Sequence, residues 1–155
     1  MMASIAASVA VRLAGADDIK LVGSIERSSF SDPWGDTEFE SALESPATIF
    51  LVAQDSKTAA VCGYAIALIV LDESEILNIA VDSQTRRSGI GGVLLDSALQ
   101  RLRDRGAAAV YLEVRESNES ARRLYVSRGF KELSRRKNYY RKPTEDALVL
   151  ALAMQ

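Results

Sequence analysis

Between Arg86 and Gly92 the chain reads Arg-Arg-Ser-Gly-Ile-Gly-Gly, directly after an apolar run and directly before a helical pattern. A glycine-rich passage from a strand into a helix is where free backbone N–H groups and the helix dipole favour an anion. Glycines let the backbone approach a ligand closely, and Arg86 and Arg87 add charge that pairs with phosphate oxygens. The spacing matches neither the dinucleotide pattern G-x-G-x-x-G nor the Gly-Lys-Ser/Thr ending of a P-loop. A turn that merely permits a tight connection stays open as the plain alternative. Further along, the alternation of residues 107–114 puts Val110, Leu112 and Val114 on one strand face and turns Glu113 to the other with Tyr111. Burial of that glutamate would raise its pKa toward neutrality, whereas a solvated or Arg115-paired position would leave it structural. Tyr125 stands with Ala121, Leu124 and Arg128 at the spacing of a helix core stripe, so it reads as packing or as a phenol delivered to a site. Asn118, seven residues earlier, shares that helix face.

The elements that must position these residues follow from periodicity and turn residues. The spacing predicts strands over 8–14, 48–55, 59–73, 74–82, 107–115, 130–142 and 145–154, and helices over 15–30, 36–45, 86–106 and 116–129. That is a single mixed α/β domain over 1–155 with seven strands and four helices, residues 1–7 forming a flexible N-terminal extension. The helix between the fourth and fifth strands implies that these two are parallel neighbours. The chain has 155 residues, 48% hydrophobic, with formal net charge -2, which lacks the electrostatic footprint of a general nucleic-acid binder. Arg12 interrupts the first apolar run and no segment reaches membrane-spanning length, so the expectation is a cytoplasmic protein without a membrane, read as a monomer. One cysteine, Cys62, and no histidine exclude an internal disulfide, most zinc sites and every Ser/His or Cys/His pair. No metal is expected. Cys62 reads as a buried strand residue, and Arg135, Arg136 and Lys137 as a solvated strand face.

Arg86, Gly89 and Gly91 form the motif R-x-x-G-x-G after the strand sequence LNIAV, and in this setting the loop resembles the acetyl-CoA loop of the GCN5-related N-acetyltransferase (GNAT) superfamily. The later blocks LEVRESNESARRLYVSRGF, RRKNYY and EDALVL resemble, in order, the RimI family of protein N-terminal alanine acetyltransferases. The resemblance runs from about Arg12 to the end and departs at Ser83 and Thr85, where the turn after Asp82 differs. It implies the acyl-CoA N-acyltransferase fold, acetyl-CoA as co-substrate and a protein N-terminus as partner, with the N-terminal alanine of the eighteenth small-subunit ribosomal protein as acceptor. Carried over residue by residue, it implies that Ile79, Ala80 and Val81 line the acetyl and pantetheine arm through their backbone. Arg86, Arg87, Ser88, Gly89, Ile90, Gly91 and Gly92 would wrap the pyrophosphate, and Asn118 would touch the cofactor. Glu113 would accept the proton and Tyr125 donate one. The two aromatic stretches around Trp34 and around Tyr139 and Tyr140 would flank the acceptor, although Trp34 reads equally well as a staple between helices.

The implied chemistry is consistent with the side chains at hand. Acetyl transfer from a thioester to an amine needs a neutral amine and a proton for the departing thiolate. Without histidine, a carboxylate and a phenol fill those roles. An α-amine with pKa near 7.7–8.0 is about one-tenth neutral at pH 7, whereas a lysine near 10.4 is almost wholly charged, so a glutamate base suits an N-terminus better. Acetylation of lysine or of a small amine, and a non-catalytic acetyl-CoA-binding module, are the competing readings.

Overall fold

The computed structural model describes residues 8–86 and 88–154. Residues 1–7, Arg87 and Gln155 lie outside the described residues, and with them the expected N-terminal extension. Among the described residues, seven strands form one sheet in the order β1-β2-β3-β4-β5-β7-β6. The elements are β1 (Val9–Leu13), α1 (Ile19–Ser29), α2 (Asp36–Glu44), β2 (Thr48–Asp55), β3 (Val61–Val70), β4 (Glu73–Val81), α3 (Ile90–Asp104), β5 (Ala109–Arg115), α4 (Glu119–Ser127), β6 (Lys131–Tyr140) and β7 (Glu145–Ala153). A 3-10 turn, Ala16–Asp18, leads into α1. All neighbours are antiparallel except β4 and β5, which are parallel as the α3 crossover requires. The third strand ends at Val70, earlier than the sequence predicts, because Leu71 takes a positive φ and the chain turns there into β4.

Strand alternation sorts the core into two layers. Ile49, Leu51 and Ala53 of β2 join Val110, Leu112 and Val114 of β5 under α3, whose Leu94, Leu95, Ala98 and Leu102 form its inner stripe. Phe50 and Val52 face the other way, with Tyr64, Ile66 and Ala80, against Val22 and Ile25 of α1 and Phe39 of α2. Cys62 is buried in the first layer. No helix among the described residues is long and apolar enough to cross a membrane.

Phe39 is the hinge pin of the second layer. It is 0% exposed and packs edge-on against Tyr64 at 5.8 Å and beside Phe50 at 5.9 Å and Trp34 at 5.4 Å. Phe39→Ala is therefore expected to lower unfolding free energy by about 3–5 kcal/mol, measured by urea titration. A loss below about 1 kcal/mol would mean that α2 is not anchored through this ring.

Candidate active site

The parallel contact between β4 and β5 is short. It covers the four pairs from Glu73–Ala109 to Ile76–Leu112, after which the strands diverge. Divergence coincides with a bulge in β4: opposite Ile66 and Ala67 stand Asn78 and Ile76, so Leu77 is the extra residue. From Leu77 to Val81 β4 keeps β3 on one side and, among the described residues, has no strand partner on the other. The residues expected to hold an extended arm, Ile79, Ala80 and Val81, lie on this open edge. An amide-bearing chain can add to such an edge as a further strand would.

At the top of the opening stands the start of α3. Gly89 is its N-cap with φ 87°, a left-handed conformation that a side chain would strain, and no side chain caps the helix. The first intrahelical bond runs from Val93 N to Gly89 O at 3.1 Å, so the amides of Ile90, Gly91 and Gly92 have no acceptor within the helix. These are the donors an anion needs. A Cβ at Gly91 would lie 3.8 Å from Val81 and 3.5 Å from Leu124, which places the glycine loop, the end of β4 and α4 together. A Cβ at Gly92 would meet the Arg128 guanidinium at 2.6 Å; this glycine makes room for the pair between Arg128 and Asp96. Ser88 donates to the Thr85 carbonyl. Arg86 is turned away from the helix start, donating to the Val81 carbonyl at 3.1 Å and to Ser29 Oγ at 2.9 Å. Arg87 lies outside the described residues.

Glu113 points, with Tyr111, to the face opposite Val110, Leu112 and Val114, as the alternation requires. The apolar enclosure expected around it is not there: its side chain is 22% exposed and the Arg136 guanidinium stands 3.6 Å away. Arg136 stands opposite Ala147, which pairs with Arg115 on the other side, so it shares the sheet face of Glu113; the register shift between Glu132 and Ser134 sets this phase. A second shift, between Arg136 and Tyr140, breaks the alternation expected of Tyr139 and Tyr140, whose rings meet edge-to-face at 5.2 Å. Arg136 also lies over the Tyr139 ring at 5.0 Å. The Glu113 carboxylate pushes the Tyr139 phenol up. Burial, with Glu113 behind it, pushes Tyr140 up to about 12. Glu75, next along β4, is raised by burial and then by the Glu113 charge, against the pull of Arg136. Arg135, read as solvated, is tied to Glu116 at 2.9 Å and Asp146 at 3.0 Å.

Arg115 connects the two segments that flank this face. Its guanidinium donates to Ser31 Oγ at 3.0 Å, to the carbonyls of Arg141 at 3.0 Å and Pro143 at 3.1 Å, and to Glu145 at 3.1 Å. It also covers the Tyr140 ring at 4.4 Å. Trp34 forms part of the α1–α2 side, half-buried against Phe39 and lining a groove of about 420 Å³ with Leu77 and α2. On the other side of the opening, Asn118 caps α4, its Oδ1 accepting from Ala121 N at 3.2 Å. Tyr125 is 5% exposed, its ring set edge-to-face on Phe130 at 5.7 Å. Among the described residues nothing hydrogen-bonds its hydroxyl, yet no buried polar side-chain atom lacks a partner, so the hydroxyl is the part that still reaches the surface. Burial first, then the neighbouring Tyr140, raises its pKa.

Residues 19–130 match the family model described as Acetyltransferase (GNAT) family. The chain belongs to the GNAT family. It is 40% identical over 139 residues to the [ribosomal protein bS18]-alanine N-acetyltransferase of Escherichia coli strain K12, covering 87% of this chain and 90% of that protein. The Haemophilus influenzae protein of the same name is 36% identical over 86% of this chain and 91% of its own. Among solved GNAT-like structures, the ribosomal-protein-S18-alanine N-acetyltransferase from Escherichia coli superposes with a TM-score of 0.87 and 33% identity, covering 95% of this chain and 94% of that one. Ard1 from Thermoplasma volcanium gives 0.86 at 27% identity, over 96% and 99%.

The structure adds residues to this GNAT site that the sequence reading passed over. Arg115 figured only as a partner for Glu113, yet it ties both flanking segments. Glu75 was hidden in a strand read simply as apolar. Glu26 is the clearest case: a carboxylate 1% exposed between α1 and the sheet. Its position in the stripe Ile19, Val22, Gly23, Glu26 is the signal that could have found it.

Proposed function

We propose that the chain moves an acetyl group from acetyl-CoA to a protein N-terminal α-amine, the N-terminal alanine of ribosomal protein bS18 being the acceptor. The observation that carries this reading is the 40% identity to bS18-alanine N-acetyltransferase across most of both chains. The residues present suit the co-substrate: amides at the start of α3 without an acceptor in the helix, for an anionic group, and beside them a strand edge that no strand pairs among the described residues, for an amide-bearing arm. In this reading Ser88, Arg87 and the amides of the Gly89–Gly92 stretch hold the pyrophosphate, Arg86 braces the end of β4 through the Val81 carbonyl, Ile79, Ala80 and Val81 take the arm, and Asn118 assists from the start of α4. When bound, acetyl-CoA supplies a thioester whose carbonyl carbon takes the new bond to nitrogen while its bond to sulfur breaks.

The chain's own groups then handle the protons. Glu113 takes a proton from the acceptor nitrogen, directly or through a water, and the Tyr125 hydroxyl gives one to the departing sulfur. Trp34, Tyr139 and Tyr140 flank the acceptor, whose free ammonium competes with Arg136 for the Glu113 carboxylate.

The test is an acetylation assay offering an N-terminal Ala peptide, the same peptide with a blocked N-terminus and a free lysine, and small amines. Only the free N-terminus is expected to be modified at an appreciable rate. Modification confined to the blocked, lysine-bearing peptide or to the small amines would overturn the reading.

A further inference from the structure

We propose that Glu26 is a positioning residue that sets the acceptor groove by holding Trp34 and the β4 bulge in one fixed relation. The inference rests on the N-terminal acetylation proposed above. The Glu26 carboxylate accepts from the Tyr64 hydroxyl, from Nδ2 of Asn78 at 3.1 and 3.2 Å, and from the main-chain N–H of Trp34 at 2.9 Å. Among the described residues no Lys or Arg pairs with it, so this buried group is held by neutral donors alone. A hydrogen bond in this buried setting is stronger than the same bond in water, and leaving its donors unpaired would be costly.

The three donors come from three segments: β3, β4 and the α1–α2 connection. Two of them define the groove. Trp34 is bonded directly, and Leu77, which also lines the groove, immediately precedes Asn78. Asn78 in turn precedes Ile79, where the open edge of β4 takes the acetyl arm. One carboxylate therefore fixes the distance between the acceptor wall and the strand that presents the acetyl group. Glu26 touches neither reactant, which makes it a positioning residue and not a catalytic one.

Trp34 is the single tryptophan of the sequence, so its fluorescence reports on this tie alone. In the full chain, Glu26→Ala is expected to shift Trp34 emission and raise its quenching by acrylamide. The loss of buried hydrogen bonds should raise KM for the N-terminal Ala peptide about tenfold, with KM for acetyl-CoA changed less than about threefold. Glu26→Gln keeps the shape and still accepts from the Trp34 N–H, so it should recover most of both readouts. Tyr64→Phe removes one buried donor and leaves the Glu26 bonds to Trp34 and Asn78 in place; it should lower stability yet leave emission and peptide KM near wild type, which separates positioning from general weakening. If Glu26→Ala does not fold, Asn78→Ala takes its place, with peptide KM expected to rise about fivefold. Unchanged peptide KM in the folded variant overturns the proposal, as does an equal change in Tyr64→Phe. A wild-type protein that acetylates no N-terminal peptide would overturn the functional reading instead, and Trp34 emission in Glu26→Ala would still decide whether the tie exists.

Discussion

Glu113→Gln is expected to lower kcat by about two to three orders of magnitude, the range of general-base catalysis, while acetyl-CoA affinity stays within about twofold. Glutamine keeps the size of the side chain and loses only its ability to take a proton. The fold should tolerate the change because Glu113 keeps contact with water and its ion-pair partner Arg136 is more than half exposed. The affinity should hold because Glu113 lies on the sheet face opposite the layer that packs under α3. Steady-state kinetics with an N-terminal Ala peptide and calorimetric titration of acetyl-CoA read the two quantities separately. A kcat within about threefold of wild type would remove Glu113 from the proton path.

Tyr125→Phe should cost about a hundredfold in kcat, the low end for a general acid, because a thiolate with pKa near 8.5 needs less help than an alkoxide would. Phenylalanine preserves the contact with Phe130, so stability should change little. The pH profile gives a second check, and its sign follows from burial. A phenol is the acid while protonated, and burial raises its pKa, so Tyr125 keeps its proton across the range in which an acceptor α-amine loses its own near 7.7–8.0. The wild-type rate should therefore climb through about pH 8 and show no descending limb below about pH 10. A fall between about pH 8 and 9 would assign the acid to a group other than Tyr125.

The sequence displayed what obeys a local period and hid what depends on its interruption. The alternation at Val110, Leu112 and Val114 correctly turned Glu113 outward, and the stripe through Ala121, Leu124 and Tyr125 correctly foretold a buried ring. Parallel pairing of β4 and β5 followed from the crossover helix alone. What escaped was irregular. The bulge at Leu77, which coincides with the parting of the strands, leaves no mark in a run of apolar residues. The two register shifts in β6, one before Ser134 that puts Arg136 on the face of Glu113 and one before Tyr140, defeat any period-two argument. Arg86 shows the same limit for a motif: its presence beside the glycines was legible, but its bonds to Val81 and Ser29 depend on where α1 ends in space. Glu26 was legible in principle, since a charge on an inner stripe demands partners, yet its two side-chain partners lie 38 and 52 residues away and the third, eight residues on, is a main-chain N–H.

The short seam between β4 and β5 has a mechanical meaning as well. On one side of it stand β1 to β4, on the other β5, β7 and β6, each set sewn together by antiparallel pairs, and only four parallel pairs join them within the sheet. A ligand lodged in the opening replaces missing stitches: it touches both halves and so resists their separation. Ligand bound to the folded form alone adds stability as RT ln(1 + [L]/Kd), about 2.7 kcal/mol at a hundredfold excess over Kd. In this architecture that gain would fall on the line where the protein is least able to hold itself closed.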